Sequence, residues 1–542
     1  MKFSLILLIH CLSLIAYSQR NPKPKLIVGI VVDQMCYDYL YRFQPHFSNG
    51  GFNKFLKKGL NCRNVVYNYV PTYTGPGHAS IYTGTTPSNH GIIGNEWFDK
   101  DLSTVVNCVS DPKYASVGTN SSEGRCSPKN LKTFTITDQL KLTYPKSKVV
   151  SMSIKDRSAI LPGGHLSDGS YWFDYSSGKF ITSGFFEEKL PSWLEDFNRL
   201  NNASTYTKKW DLLFDESFYS SADDSPYEMV LTGKEKPTFP YDFPNLNGGT
   251  SYFTLSPFAN TLLTDLAISS LDGDNLGKRE TCDFLTISYS TPDILGHSFG
   301  PYSREIEDLY YRLDREIERL INTLEKRFGK KNIAVFLTAD HAVVPVPQML
   351  QDLSLPGGYI FMDNVLASLK DALTSHYKHK KEWILTEENQ QLYLDIENIT
   401  NEGFSLNEVT KFLKENLLKM DGIKAAFTQE ELIYNVGFED EWKAMVRKGY
   451  NYNRSGEVVF IVEPGYLTKS TDLPKAHQGT SHGSSFNYDA HVPLLWYGLN
   501  WGKKEVFTPY EIIDIAPTLV HLLNLQRPGA MTGKPIIEVL KK

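Results

Sequence analysis

Asp283-Phe284-Leu285-Thr286-Ile287-Ser288-Tyr289, the segment from Ser303 to Gly329, and Asn332-Ile333-Ala334-Val335-Phe336-Leu337-Thr338 are the stretches whose reading decides the fold. The first and third are apolar runs of strand length, as expected of strands covered on both faces. Between them Ile306, Leu309, Tyr310, Leu313, Ile317, Leu320, Ile321 and Leu324 recur at a helical period, with Ser303 as the cap and Gly329 as the stop. Strand, long helix, strand is a βαβ crossover, and a crossover of that length implies parallel pairing.

Two further runs have the same character, Leu26 to Val32 and Lys148 to Ile154. All four lead into charged or metal-ligating residues: Asp33, Lys155-Asp156-Arg157, Asp293, and Asp340-His341. Open α/β sheets gather their ligands at the carboxyl ends of strands. The expected fold class is therefore α/β, a largely parallel central sheet with helices on both faces. A further strand is expected at Val492 to Trp496 and an amphipathic helix from Tyr510 to Leu523.

The main α/β domain should run over 19–354, with a loop-rich insertion at about 185–250. Residues 355–475 change character, with a strand at Gln391 to Asp395, a helix from Leu406 to Met420 and a strand at Glu457 to Val462. They read as an inserted, smaller α+β subdomain. Residues 476–542 return to the main domain.

A chain of 542 residues is long enough for such an arrangement. Its net charge of −6 argues against nucleic-acid binding. Residues 1–18 combine Lys2, an apolar run from Leu5 to Ala16 and the small residues of Ala16-Tyr17-Ser18, which reads as a secretory signal peptide. The apolar run is short for a membrane anchor, and no later stretch reaches about 18 apolar residues, so no membrane span is expected. The mature protein should be periplasmic or secreted and monomeric. Cys108 and Cys126 bracket a polar segment and are the expected disulfide pair among the few cysteines. No Cys-x-x-Cys occurs, so any metal must be held by Asp and His.

Pro71-Thr72-Tyr73-Thr74-Gly75-Pro76-Gly77-His78 follows an apolar run and turns into a helix-compatible segment. That places the Thr74 hydroxyl at a helix entrance, where free N–H groups and the helix dipole favour an oxyanion. On its own, such a threonine is commonly just a helix cap. The metal-ligand types elsewhere change that reading. Asp293 and His297 are spaced i, i+4, so one helical turn puts both on one face. Asp340 and His341 are adjacent at a strand end, His482 lies in the Gly/Ser loop Gly479-Thr480-Ser481-His482-Gly483, and Asp33 adds a third carboxylate. Three Asp and three His suit two oxygen/nitrogen sites for Zn²⁺. Two such ions are what an in-line displacement at phosphorus needs, with Thr74 as the attacking oxygen. An Arg fork and a Lys point charge, Arg157 and Lys155, suit the oxygens of a transferring phosphoryl group.

Asp33, Thr74-Gly75-Pro76-Gly77-His78, Asp293-x-x-x-His297, Asp340-His341 and His482-Gly483 together resemble the alkaline phosphatase superfamily of two-metal phosphohydrolases. Lys155-Asp156-Arg157 and Gly94-Asn95-Glu96-Trp97-Phe98-Asp99 make the chain similar to its bacterial phosphate-irrepressible alkaline phosphatases in particular. The resemblance implies one zinc on Asp293, His297 and His482 and another on Asp33, Asp340 and His341. It implies Thr74 as a nucleophile that also touches the metals, and a covalent phosphothreonine. Asn95, Lys155, Arg157 and the Gly75 N–H would contact the phosphoryl oxygens of a small phosphate monoester. A phosphodiesterase or nucleotide pyrophosphatase of the same superfamily is the alternative, and Lys155 and Arg157 favour the monoester.

Overall fold

The computed structural model describes residues 23–246, 248–378, 381–434, 440–473 and 477–541. The expected signal peptide lies outside these residues. β1 (Leu26–Val32), β2 (Val149–Ser153), β3 (Asp283–Tyr289) and β4 (Ile333–Thr338) are the four anticipated strands. They lie in the order β4-β1-β3-β2, and every neighbouring pair is parallel. Gly169–Asp174 extends this parallel block beyond β2. Antiparallel strands close both ends: Leu494–Gly498 against β4, and Lys179–Ser183 against Gly169–Asp174. Among the described residues the sheet has ten strands.

Every residue of these four strands is buried, which explains their largely apolar character. The register brings Val32 beside Tyr289 and Val31 beside Thr338. The three central strands therefore end level, and their C-terminal loops emerge together.

Four helices matter for the site: α1 (Thr74–Thr83), α2 (Asp156–Gly163), α3 (Thr291–Phe299) and α4 (Arg304–Phe328). α4 is the expected crossover helix, with the Ser303 side chain accepting from Ile306 N and Gly329 ending it. The helix expected over Tyr510 to Leu523 starts later. Tyr510 and Glu511 pair as a short parallel strand with Val65 and Val66, a turn of 3-10 helix covers Ile512–Asp514, and the α-helix occupies Ile515–Leu523. Backbone pairing with a distant segment overrode a helical apolar period there.

The later part of the chain forms a second, four-stranded sheet from β5 (Ile384–Glu388), β6 (Gln391–Leu394), β7 (Ile423–Thr428) and β8 (Val458–Val462), in the order β5-β6-β8-β7. Its strands are antiparallel. It has its own apolar core, with Leu369, Trp383, Leu392, Leu413 and Phe460 buried. A separate apolar cluster brings Val70, just upstream of Thr74, together with Phe427, Leu432, Val446 and Val459. The expected Cys108–Cys126 disulfide is absent: both are buried free thiols. Cys126 Sγ donates to Glu123 O, and Cys108 Sγ packs at the Gly75 turn instead. Cys126 sits opposite Ser110, so Cys108 is only its diagonal neighbour across the strand pair.

Candidate active site

The loops after β1, β2, β3 and β4 converge on the first residue of α1. Thr74 is buried, is preceded by extended Tyr73, and is not a helix cap: no side chain caps α1. Its Oγ1 lies 3.4 Å from His341 Nε2 and 3.4 Å from Lys155 Nζ. The hydroxyl thus faces a cation and an imidazole at the positive end of the helix.

Three carboxylates surround this point. Lys155 Nζ lies 2.8 Å from Asp33 Oδ2 and 2.5 Å from Asp293 Oδ2. Asp293 Oδ1 lies 3.2 Å from His297 Nε2 and 3.5 Å from His482 Nε2. His341 Nε2 lies 3.4 Å from Asp33 Oδ1 and 3.7 Å from Asp340 Oδ2. The Asp293/His297 pairing follows from α3 starting directly after β3, as the i, i+4 spacing requires.

All three histidines are oriented alike. His297 Nδ1 donates to Thr480 O, His341 Nδ1 to Ala342 O, and His482 Nδ1 to Thr72 O, at 2.9, 3.0 and 2.8 Å. A carbonyl can only accept, so each Nδ1 carries a hydrogen and each Nε2 turns toward the carboxylates. Backbone-oriented imidazoles of this kind are the usual support for metal ligands. Burial holds His341 down to about 3, so its lone pair is free.

The electrostatics suit a bound cation. Burial, followed by repulsion from Asp340, pushes the Asp33 carboxyl well above its usual range. At Asp293 burial also opposes ionisation, but His297 and Lys155 outweigh it and hold the carboxyl well below its usual range. Asp33 Oδ1 and Asp340 Oδ2 are buried yet accept no hydrogen bond among the described residues. Orphaned buried carboxylate oxygens are costly unless a cation meets them. Among the described residues two groups have ligand atoms within 4.8 Å of one another, Asp293-His297-His482 and Asp33-Asp293-His341. The first is the expected triad. The second has Asp293 in place of Asp340, whose Oδ1 accepts from the N–H groups of Gln34 and His341 and whose Oδ2 lies 3.7 Å from His341 Nε2.

Around Thr74, Asn95 Oδ1 accepts from Gly75 N at 2.7 Å. The Gly75 N–H, expected to face substrate, is thus engaged by Asn95. Arg157 sits on the first turn of α2 beside Asp156, and its buried Nε has no hydrogen-bond partner among the described residues.

Sequence reading missed Gln34. Its backbone is left-handed (φ 64), its N–H reaches Asp340, and its Nε2 donates to Asp293 Oδ1 at 2.6 Å. One amide residue thereby touches two of the carboxylates. The signal was present only indirectly: Gly296, inside the Asp293-x-x-x-His297 turn, is where the Gln34 Oε1 packs. Tyr73, which packs edge-on against His482 with ring centroids 5.5 Å apart, was also missed.

The sequence profile of the family described as type I phosphodiesterase / nucleotide pyrophosphatase matches residues 27–485. The chain belongs to this family. Alkaline phosphatase PafA of Elizabethkingia meningoseptica is 40% identical over 534 residues, 96% of this chain and 95% of PafA. Alkaline phosphatase PhoV of Synechococcus elongatus is 38% identical over 535 residues, 97% of this chain and 94% of PhoV. The crystal structure of wild-type PafA superposes with a TM-score of 0.91, at 38% identity, covering 96% of this chain and 100% of the other. This type I phosphodiesterase / nucleotide pyrophosphatase family member therefore shares PafA's fold from β1 through the second sheet. Among the described residues no helix is long and apolar enough to cross a membrane.

Proposed function

We infer that this chain is an alkaline phosphatase that hydrolyses phosphate monoesters through a phosphothreonine at Thr74. The observation that carries the reading is the uncapped, buried Thr74 hydroxyl at the start of α1, set 3.4 Å from both Lys155 Nζ and His341 Nε2. Full-length relatives that are alkaline phosphatases support it.

In this reading Thr74 Oγ1 attacks phosphorus in line with the ester oxygen. The Oγ1–P bond forms, the P–O bond to the alcohol breaks, and the alcohol leaves with a proton. Water then attacks the phosphothreonine and releases inorganic phosphate. Asp293, His297 and His482 would hold one Zn²⁺, and Asp33, Asp340 and His341 the other, with Asp293 close enough to serve both. Bound there, two Zn²⁺ ions supply positive charge that favours loss of the hydroxyl proton and offsets charge on the leaving oxygen. The chain's own residues do the rest. The α1 N-terminus faces the transferring group. Lys155, Arg157 Nε and the Asn95 amide supply donors to its three outer oxygens. Asn95 reaches that position by spending its Oδ1 on Gly75 N, so it replaces Gly75 as the donor on that side.

A monoester dianion has three free oxygens for these donors and a diester only two. Lys155 and Arg157 therefore favour monoesters. The family profile gives a second reading, diester or nucleotide pyrophosphate hydrolysis, a specific observation in its favour. Purified enzyme assayed on an aryl phosphate monoester and the matching diester, before and after chelation and zinc restoration, decides between them. Monoester turnover faster by orders of magnitude, lost on chelation and regained with zinc, is expected. Equal or faster diester turnover would replace the monoesterase reading. We further propose that residues 355–475 act as a cap subdomain on a monomeric enzyme, that 1–18 direct it to the periplasm or medium, and that substrates are small molecules.

A further inference from the structure

The second sheet reaches the Asn95 segment through the tip of its first hairpin. β5 and β6 are joined by a two-residue turn, Asn389-Gln390, with both residues left-handed at φ 58 and 61. Such a turn matches the twist of a hairpin, and asparagine adopts the conformation more readily than most residues. The Asn389 amide serves more than its own turn: Nδ2 donates to Glu96 O at 2.7 Å. It also lies against Gly94, where an added Cβ would come within 2.6 Å of Nδ2. The hairpin tip therefore grips the backbone on both sides of Asn95. From the other side, Cys108 N donates to Asn95 O at 2.9 Å, and Glu96–Asp99 pairs with Thr104–Asn107. Asn95 is pinned between these supports, with its Oδ1 committed to Gly75 N and only its Nδ2 donors left to meet an anion.

We propose that Asn389 is a positioning residue for phosphoryl transfer: through Glu96 and Gly94 it fixes Asn95 against the Thr74 turn, so the inserted subdomain completes the phosphoryl pocket. This rests on the alkaline phosphatase reading. It explains why a hairpin nearly 300 positions away in sequence meets a glycine next to Asn95 (|i−j| = 293 for the Asn389–Glu96 bond). Glycine at 94 is what allows the amide to approach. The surroundings also set the required chemistry. Glu96, Glu387 and Glu388 crowd the tip, and repulsion from Glu96 adds to burial in raising Glu388. A neutral donor is tolerated at 389, whereas a carboxylate would face the Glu96 carbonyl and three acids.

The test uses the full, zinc-loaded chain. Asn389→Gly keeps the left-handed turn and deletes the amide. It should lower kcat/KM for an aryl phosphate monoester by about threefold to tenfold, the worth of one neutral hydrogen bond, and weaken inhibition by inorganic phosphate by a similar factor. Asn389→Asp should lose more. In an Asn95→Ala background Asn389→Gly should have less than about a twofold further effect, because the residue it positions is gone. Unchanged kcat/KM in Asn389→Gly overturns the proposal, and so does the same fold-loss in the Asn95→Ala background. A general folding defect would persist in that background and so also counts against it. A wild-type chain with no monoesterase activity would instead overturn the proposed function.

Discussion

Gly296→Ala is the substitution whose consequence can be followed furthest from the geometry. An alanine Cβ at 296 would lie 1.8 Å from Gln34 Oε1 and 2.8 Å from its Cδ. Ordinary contact requires more than 3 Å, so the amide must retreat by over 1 Å. The Gln34 backbone cannot supply that movement, since it is left-handed and its N–H donates to Asp340. The side chain must rotate, and rotation takes Nε2 off Asp293 Oδ1, where it sits at 2.6 Å. A hydrogen bond to a charged group is worth about 1.5–3 kcal/mol, and at about 1.4 kcal/mol per tenfold the loss corresponds to roughly 10–100-fold in zinc affinity. Orienting partners of metal ligands commonly have effects of that size. Competition against a chromophoric chelator measures it directly. Gln34→Ala removes the same hydrogen bond without a clash and should weaken zinc comparably. The double variant should bind no worse than Gln34→Ala alone, because the atom that alanine displaces has been removed. Zinc affinity of Gly296→Ala equal to that of the wild type would refute the reasoning, as would a double variant whose losses simply add.

Three other outcomes are expected. Thr74→Ser should retain measurable monoesterase and accumulate a phosphoserine detectable by mass spectrometry at acid quench, whereas Thr74→Ala should lose turnover and show no adduct. Arg157→Ala should reduce monoester kcat/KM by about 10–100-fold, the range for a charge-assisted hydrogen bond, and diester kcat/KM by clearly less; equal losses would remove the basis for monoester preference. Asp489 is fully buried beneath the His482 loop, where its Oδ2 accepts from Ser484 N, and burial pushes its carboxyl up to about 7. A carboxyl raised on folding lends stability that is complete below its unfolded value of about 4 and is lost as pH rises through about 7. Asp489→Asn should therefore flatten the fall of thermal midpoint between about pH 4 and 7, and an unchanged slope would contradict the assignment.

Much of the site's chemistry was legible in the chain because it is encoded over short distances. Each of β1 to β4 announced itself as an apolar run ending in a charged residue, since a strand buried on both faces has no polar side to show. The Asp293/His297 pair needed only the pitch of one helix, and α4 carried its own cap and stop. The Cys108–Cys126 expectation failed because polarity of the intervening segment says nothing about whether two side chains face each other. The helix expected to begin at Tyr510 failed because Val65 and Val66 compete for its first residues.

What the sequence by itself determined is the inventory: four strands, their ends, and a set of Asp, His, Lys, Arg and Thr groups suited to phosphoryl transfer. Tertiary structure alone decided how they meet. Strand order placed β1 between β3 and β4, and that put Gln34 on Asp293, made Asp293 common to both candidate ligand groups, and turned Asp340 toward His78. It also brought Asn389 onto the backbone around Asn95 and aimed three Nε2 atoms inward through carbonyls at Thr72, Thr480 and Ala342. Periodicity and capping depend on neighbours a few residues away, whereas these contacts depend on which distant loops the packed sheet brings to the same edge.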